Sequence, residues 1–226
     1  MQSDGERRAA LLEAQGKALA LFEAIEAGGL IAAGRDEREV EDAIGELAER
    51  LLGVKQHWHR RIVRSGPNTL TTAADHPDSR TIGEDDTVYV DLGPVFEAWE
   101  ADIGRTYAVG PTAEKHRLVG DLPRVFERVQ RHYNETPAIT SAELYAFAQQ
   151  AADAHGWVFG GAIAGHLVGE FPHGRWPIER SQTAIWPGNT EVMRGEDHLE
   201  RERHWILEIH LVDRDRTFGG FYEQLL

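Results

Sequence analysis

Two aspartates stand in segments that otherwise have the composition of buried β-strands. Asp91 interrupts the apolar run VYVDLG, and Asp102 follows eleven residues later in a similar setting. Burying an unpaired carboxylate is costly. Two adjacent antiparallel strands joined by a short turn would bring the pair together across the ladder, where the carboxylates either share a proton or bind cations. Taken alone, the pair is weak evidence, and turn and cap aspartates are the plainer interpretation.

Three more candidate acceptors, and a second histidine, follow towards the end of the chain. His166 lies between glycines in AGHLVGEFPHG, with His173 seven residues later, and glycine lets a backbone approach a ligand closely. Glu208 interrupts the strand-like run WILEIHL, and Glu223 interrupts FYEQLL. Each has an ordinary alternative: His166 as a hydrogen-bonded core residue, Glu208 paired with an arginine, and Glu223 on a strand edge facing water.

The order of these contexts resembles the metal-binding pattern of the methionine aminopeptidase, aminopeptidase P and prolidase superfamily, whose fold is called pita-bread or creatinase-like. VDLGPVFEAWEADIGRTYAVG resembles the signature D-x-G…D-x-x-R-T-[FY], and GHLVGEFPH resembles G-H-x-x-G-x-x-x-H. WILEIHL and GGFYEQLL resemble the strands that carry two metal-binding glutamates, and GRDEREVEDAIGELAERLLG resembles the second helix. The resemblance extends from about residue 10 to the end.

This resemblance implies a metallopeptidase that holds two divalent metal ions. The enzyme would release an N-terminal residue from short peptides through a metal-bridging hydroxide. Xaa-Pro peptides are the expected substrates. Mn²⁺ is the first expectation, and Co²⁺, Zn²⁺ and Fe²⁺ also suit carboxylate and imidazole ligands. Asp102 and Glu223 would bridge the ions. Glu208 would also transfer the proton, and His173 would stabilise the tetrahedral intermediate. The implied metal ligands are Asp91, Asp102, His166, Glu208 and Glu223.

The match departs from the superfamily pattern at two histidines. The second histidine usually opens an H-E-x-P motif, whereas here the sequence around His173 reads HGRWP, without the acid. A catalytic histidine is also expected upstream of the first aspartate. His76, fifteen residues before Asp91, is the nearest candidate, and His57 and His59 are alternatives as substrate contacts. Trp58 or Trp176 are candidates to line a specificity pocket.

Two other functions remain open at this point. One is a creatinase-like hydrolase of a non-peptide small molecule. The other is a binding protein that keeps the fold. The resemblance also predicts a single catalytic domain over residues 1–226, which includes the helices of residues 1–53, and a short form without the N-terminal creatinase-type domain.

The periodicity of the chain predicts an α+β fold, with a curved, mostly antiparallel sheet implied by the resemblance. Helical spacing of apolar residues covers residues 6–53, where Asp36 and Glu39 form an N-terminal capping pattern and the stripe of the second helix ends at Leu51. Helices are also expected over 113–134 and 141–155. Strands are expected over 62–66, 87–93, 96–110, 205–213 and 218–226, with a polar loop over 187–203.

Composition limits the remaining choices. The net charge of −14 makes nucleic-acid binding a poor expectation. The chain has no cysteine, so metal ligands must be histidines and carboxylates. The charged start and the lack of a long apolar run predict a cytoplasmic protein without membrane contact. A homodimer is a further expectation from the resemblance.

Overall fold

The computed structural model of this protein describes residues 2–173 and 179–226. The described elements, in chain order, are α1 (Asp4–Ala27), α2 (Glu37–Leu52), β1 (Ile62–Ser65), a 3₁₀ turn (Gly66–Leu70), β2 (Thr87–Leu92), β3 (Val95–Phe96), β4 (Trp99–Glu100), β5 (Ile103–Ala108), α3 (Ala113–Glu135), α4 (Ser141–Ala154), β6 (Val158–Phe159), β7 (Gly165–Val168), α5 (Arg180–Thr183), β8 (His204–Val212) and β9 (Gly219–Leu225).

The strands form one main sheet in the order β1-β2-β5-β9-β8-β6, with β7 also paired to β8. Every pairing in this sheet is antiparallel, which confirms the expected α+β class. The strand expected over 96–110 is wrong as a single element. Residues 95–100 instead form a separate small hairpin of β3 and β4, and only residues 103–108 join the main sheet as β5.

The first two helices pack as their apolar spacing predicts. The stripe of α1 is buried from Leu11 to Ile25. Asp36 caps α2 and forms the predicted capping box with Glu39, because both reciprocal hydrogen bonds are present. The expected stripe of α2 ends one turn early, since Leu51 is 53% exposed. Leu51 lies in the last turn of the helix, next to Leu52 at its end.

The helices α3 and α4 cover one face of the sheet and leave the other face to the candidate site. A side chain at Gly220 of β9 would meet Leu118 and Leu122 of α3, so the helix lies directly against the strand backbone. The next residue, Phe221, points to the opposite face and lines a cavity. Among the described residues, none of the helices is long and apolar enough to cross a membrane.

Candidate metal centre

The register of the sheet places three of the acidic residues in one row. Asp91 of β2 is opposite Gly104 of β5, Gly104 is opposite Glu223 of β9, and Glu223 is opposite Glu208 of β8. Residues directly opposite each other in an antiparallel ladder point to the same face. The carboxylates of Asp91, Glu223 and Glu208 therefore point to the face of the sheet that is free of α3. Gly104 lies between Asp91 and Glu223 in this row.

Asp102 reaches the same place from just before β5. It lies two residues before Gly104, so it faces the same side of the strand. The β3–β4 hairpin separates it from β2, and therefore Asp102 is not the direct partner of Asp91 that the short-turn hypothesis suggested. Both carboxylates are nonetheless close to one group, since His59 Nε2 lies 3.4 Å from Asp91 Oδ1 and 3.2 Å from Asp102 Oδ1.

His166 joins the cluster from β7, which lies beside β8. Its Nε2 is 3.0 Å from Asp102 Oδ2 and 3.7 Å from Glu208 Oε1. Its Nδ1 lies 2.7 Å from the carbonyl oxygen of Leu167, which fixes the orientation of the ring. The structure thus brings together all five residues that the resemblance implies as metal ligands. Glu223 is 2% exposed, so it does not face water, and the partner of Glu208 is a histidine.

The cluster forms the floor of a cavity of about 430 Å³. The walls are mainly apolar and aromatic, and the exposed segment around Ala73 and Ala74 lies at the edge. Such an apolar pocket with a few convergent polar groups is the usual form of a small-molecule site. The larger side chains of the wall are Trp58, Ile62, Tyr89, Ile163 and Phe221.

The acidic groups perturb one another strongly. Burial raises the pKa of Asp91 to about 6 and that of Glu208 to about 7. Burial, together with the charge of Asp102, raises the pKa of Glu223 well above its usual range. Asp102 differs, because its contacts with His166 and His59 outweigh its burial and lower its pKa to about 2. Without cations, Asp91, Glu208 and Glu223 therefore keep their protons to higher pH than solvent-exposed carboxyls do.

The pKa values of the two histidines in the cluster, His59 and His166, are raised as well. Burial acts to lower the pKa of each ring, but the neighbouring carboxylates outweigh it. Asp91 and Asp102 raise the pKa of His59 to about 9, and Asp102 and Glu208 raise that of His166 to about 9. Positive charge is therefore favoured in this cluster, whether it comes from protons or from metal ions.

The residues present fit a pair of divalent ions. Asp91 Oδ1, Asp102 Oδ2 and Glu223 Oε2 are buried and have no hydrogen-bond donor in suitable geometry among the described residues. Ligand atoms of two trios lie within 4.8 Å of one another: His59 with Asp91 and Asp102, and Asp102 with His166 and Glu223. Asp102 belongs to both trios, as a bridging carboxylate would. Glu208 is not part of the second trio but lies beside it, with Oε1 at 3.7 Å from His166 Nε2.

His173 lies next to the cluster and outside the lining of the cavity. Its ring is parallel to that of His166, with centroids 5.6 Å apart. Trp58 contacts the rings of His59, His166 and His173 at 4.5, 5.2 and 4.8 Å between centroids. Trp58 also lines the cavity, which agrees with its expected position at a pocket. Trp176, the other tryptophan considered, lies outside the described residues.

Glu100 is a residue of the site that sequence reasoning missed. It is 1% exposed, accepts a hydrogen bond from the backbone N–H of His173 at 3.1 Å, and pairs with Nδ1 of the same ring. It thereby places an acid beside His173, although the acid of the H-E-x-P motif is missing from the chain. A glutamate two residues before Asp102, in a strand-like segment, was the available signal.

The other upstream histidines lie elsewhere. His76 is exposed on the segment after the 3₁₀ turn and is not part of the cavity lining in the described chain. His57 lines a different cavity, of about 540 Å³, together with Glu46, Glu49 and Arg61. Burial and the charge of Arg61 lower the pKa of His57 to about 4. The roles expected for His76 and His57 therefore stay predictions, whereas His59 lies at the cluster itself.

The fold is the pita-bread fold of aminopeptidases and prolidases. The X-Pro aminopeptidase of Thermotoga maritima superposes with a TM-score of 0.74 at 21% identity, over 99% of this chain and 58% of that one. The methionine aminopeptidase of the same organism superposes with a TM-score of 0.67 at 20% identity, over 94% of this chain and 88% of that one. These similarities establish the architecture.

Sequence similarity defines the family. The chain belongs to metallopeptidase family M24, whose profile matches residues 9–202. A curated relative, the Xaa-Pro dipeptidase of Pyrococcus horikoshii, is 30% identical over 150 residues. That alignment covers 65% of this chain and 41% of the relative, so the aligned part is less than half of that protein. Glu208 and Glu223 lie beyond the matched range of the family profile, and the sheet register is what joins them to the cluster.

Proposed function

We propose that this chain is a dinuclear metal-dependent peptidase that releases an N-terminal residue from short peptides. The observation that carries the proposal is the position of Asp102, a buried carboxylate shared by two trios of ligand atoms. One oxygen of each carboxylate in these trios (Asp91 Oδ1, Asp102 Oδ2 and Glu223 Oε2) has no hydrogen bond of suitable geometry among the described residues. Membership of a metallopeptidase family supports the same reading. The proposed metal ligands are Asp91, Asp102, His166, Glu208 and Glu223.

The residues around the cluster have separate tasks in this proposal. When bound, the two ions supply hydroxide near neutral pH and polarise the scissile carbonyl. Glu208 takes up the proton of the attacking water on its carboxylate and passes it to the leaving amine. His173 donates a hydrogen bond to the oxygen that becomes negative as the carbonyl carbon turns tetrahedral. Glu100 fixes the orientation of that imidazole through Nδ1.

Substrate size follows from the cavity. A volume of about 430 Å³ suits a di- or tripeptide, and the apolar walls suit an uncharged side chain at the N-terminal position. The similar proteins include an Xaa-Pro dipeptidase and an X-Pro aminopeptidase, so Xaa-Pro and Xaa-Pro-Xaa peptides are the first substrates to test. Arg60 also lines the cavity, and its guanidinium is the group proposed to meet a substrate carboxylate.

We also propose that residues 1–226 act as one catalytic domain, with α1 and α2 as part of it. The support is that α1 packs against β4, β5 and β9, the strands around Asp102 and Glu223. Mn²⁺ is the proposed metal for a site rich in carboxylates, with Co²⁺, Zn²⁺ and Fe²⁺ as alternatives. A cytoplasmic location and a homodimer stay predictions.

The decisive experiment measures peptidase activity after metal removal and reconstitution. Protein treated with chelator is reloaded with Mn²⁺, Co²⁺ or Zn²⁺ and given Met-Ala, Xaa-Pro and Xaa-Pro-Xaa peptides, with products identified by mass spectrometry. Asp102→Asn keeps the shape of the side chain and removes its charge, and it should abolish both metal binding and cleavage. Asp153→Asn is the matched control, because Asp153 is exposed and its ion pair is with exposed Arg214.

The outcomes separate the candidate functions. Metal-dependent release of an N-terminal residue, absent in Asp102→Asn and retained in Asp153→Asn, supports the peptidase. Two bound ions without cleavage of any peptide would favour the creatinase-like hydrolysis of a non-peptide molecule. A protein that binds no metal ion would overturn the proposal and favour a binding protein with this fold.

A further inference from the structure

His59 occupies a position that its expected role as a substrate contact does not explain. Its Nε2 lies between the two aspartates, 3.4 Å from Asp91 Oδ1 and 3.2 Å from Asp102 Oδ1. Asp91 Oδ1 is buried and has no hydrogen bond of suitable geometry among the described residues. The imidazole nitrogen and the two oxygens therefore converge on one point at the floor of the cavity.

His59 and His166 are held in the same way on opposite sides of Asp102. The Nδ1 atom of each ring contacts the carbonyl oxygen of the following residue, at 2.6 Å for Arg60 and 2.7 Å for Leu167. The Nε2 atom of each ring faces a different oxygen of Asp102, at 3.2 and 3.0 Å. An N–H at Nδ1 that donates to a carbonyl leaves the lone pair of a neutral ring on Nε2, as in metal-bound histidines.

The segment that carries His59 is fixed against the turn after β2. The backbone N–H of Trp58 donates to the carbonyl oxygen of Gly93 at 2.9 Å, and that of Val95 donates to Gln56 at 2.9 Å. Gly93 is required for this approach, because a side chain there would lie 2.3 Å from the His59 ring and 2.5 Å from Trp58 Nε1. Backbone contacts thus hold the imidazole in place before any ion binds.

We infer that His59 is a ligand of one metal ion, so that each ion of the pair has one imidazole. Asp91, Asp102 and His59 would hold the first ion, and Asp102, His166 and Glu223 the second, with Glu208 beside it. This inference rests on the proposed dinuclear site and adds a sixth ligand to it. A second nitrogen ligand also shifts the metal preference from Mn²⁺ towards Co²⁺, Zn²⁺ or Fe²⁺.

The test is metal binding by variants of two histidines on the same segment. His59→Ala removes the imidazole, and His59→Gln keeps a polar side chain of similar length. His57→Gln is the matched control, because His57 lines the other cavity. Chelator-treated proteins are titrated with CoCl₂, ZnCl₂ and MnCl₂ by calorimetry, bound ions are counted by mass spectrometry of the metals, and the visible spectrum of the Co²⁺ form is recorded. Circular dichroism checks that each variant is folded.

In both His59 variants, we expect the binding affinity for one of the two ions to fall by about 10- to 100-fold. Even the loss of a residue that only supports a ligand has an effect of this size. The visible spectrum of the Co²⁺ form should change, and the loss of affinity should be larger for Co²⁺ and Zn²⁺ than for Mn²⁺. Added imidazole should restore the second ion in His59→Ala, which a merely structural role would not allow. His57→Gln should bind both ions as the unaltered protein does.

Other results separate this inference from the proposed function. If the unaltered protein binds two ions and both folded His59 variants do so with unchanged affinity and spectrum, the inference is wrong and the dinuclear site remains. In that case, His59 is an ion-pair partner of the aspartates or a substrate contact. If the unaltered protein binds no ion, the proposed function and the inference fail together. If one His59 variant does not fold, the other variant decides.

Discussion

Gly104 lies at the centre of the acidic row, and its replacement tests whether the sheet register builds the site. A Cβ atom at this position would lie 2.6 Å from Cδ1 of Phe221 and 3.1 Å from Cβ of Glu223. The aromatic ring can shift a little, whereas Cβ of Glu223 moves only with the backbone of β9. The substitution Gly104→Ala should therefore push β9 away from β5 at Glu223, one of the proposed metal ligands.

The expected size of the effect follows from packing. Adding a methyl group to a filled interior costs about 1–3 kcal/mol of unfolding free energy. For a chain of this length, about 1 kcal/mol lowers the melting temperature by roughly 2–4 °C, so the loss should be about 2–12 °C. A small displacement of Glu223 should in addition weaken ion binding by about 10- to 100-fold, which is the size of effect seen when groups that support a ligand are altered.

The two effects need separate assays. Urea unfolding of chelator-treated protein measures the packing cost alone, and calorimetric titration with Mn²⁺ measures the loss of affinity. Gly120→Ala in α3 is the matched control, because a Cβ there meets no atom within 4 Å. An alanine inside a helix should stabilise by about 0.5–1 kcal/mol and leave ion binding unchanged.

One pattern of results would refute this reasoning. If metal-free Gly104→Ala unfolds within about 0.5 kcal/mol of the unaltered protein, as ordinary surface changes do, and also binds two ions with the same affinity, β5 and β9 are not packed as the row requires. The assignment of Glu223 as a metal ligand would then lose its structural basis.

Two further predictions concern protons and the orientation of His173. The metal-free protein should lose unfolding free energy as pH rises from about 6.5 to 9. The raised pKa values, about 9 for His59 and His166 and about 7 for Glu208, mean that the folded state binds more protons than the unfolded state in this range. Urea unfolding at several pH values should show a smaller loss with saturating Mn²⁺, because the ions replace those protons; equal slopes with and without Mn²⁺ would contradict this. Glu100→Gln should lower kcat by about 10- to 100-fold with little change in KM and with two ions still bound, because it disturbs the imidazole and spares the ligands. Glu97→Gln, an exposed glutamate of the same hairpin, is its control, and a loss of ions or an equal loss of kcat in this control would count against the assigned role of Glu100.

Local patterns predicted the elements of this fold well. The capping pair Asp36 and Glu39 marks the start of α2 because both residues act within one turn of helix. The final strands around Glu208 and Glu223 form the short hairpin that their spacing of fifteen residues allows. The break between β4 and β5 was missed, since the segment 96–110 has strand composition throughout and nothing local shows that residues 95–100 pair with themselves.

The residues of the candidate site also fall into two groups, those that local sequence predicted and those that only the structure revealed. The sequence by itself determined the order of Asp91, Asp102, His166, Glu208 and Glu223 and the local context in which each one stands, and these contexts carried the resemblance. It left open whether each side chain is buried. Tertiary structure alone decided that the upstream histidine at the cluster is His59 and that the partner of His173 is Glu100. Those contacts join residues 43 and 73 positions apart. They depend on how the turn after β2 and the β3–β4 hairpin fold over the sheet, and no spacing along the chain records such long-range packing.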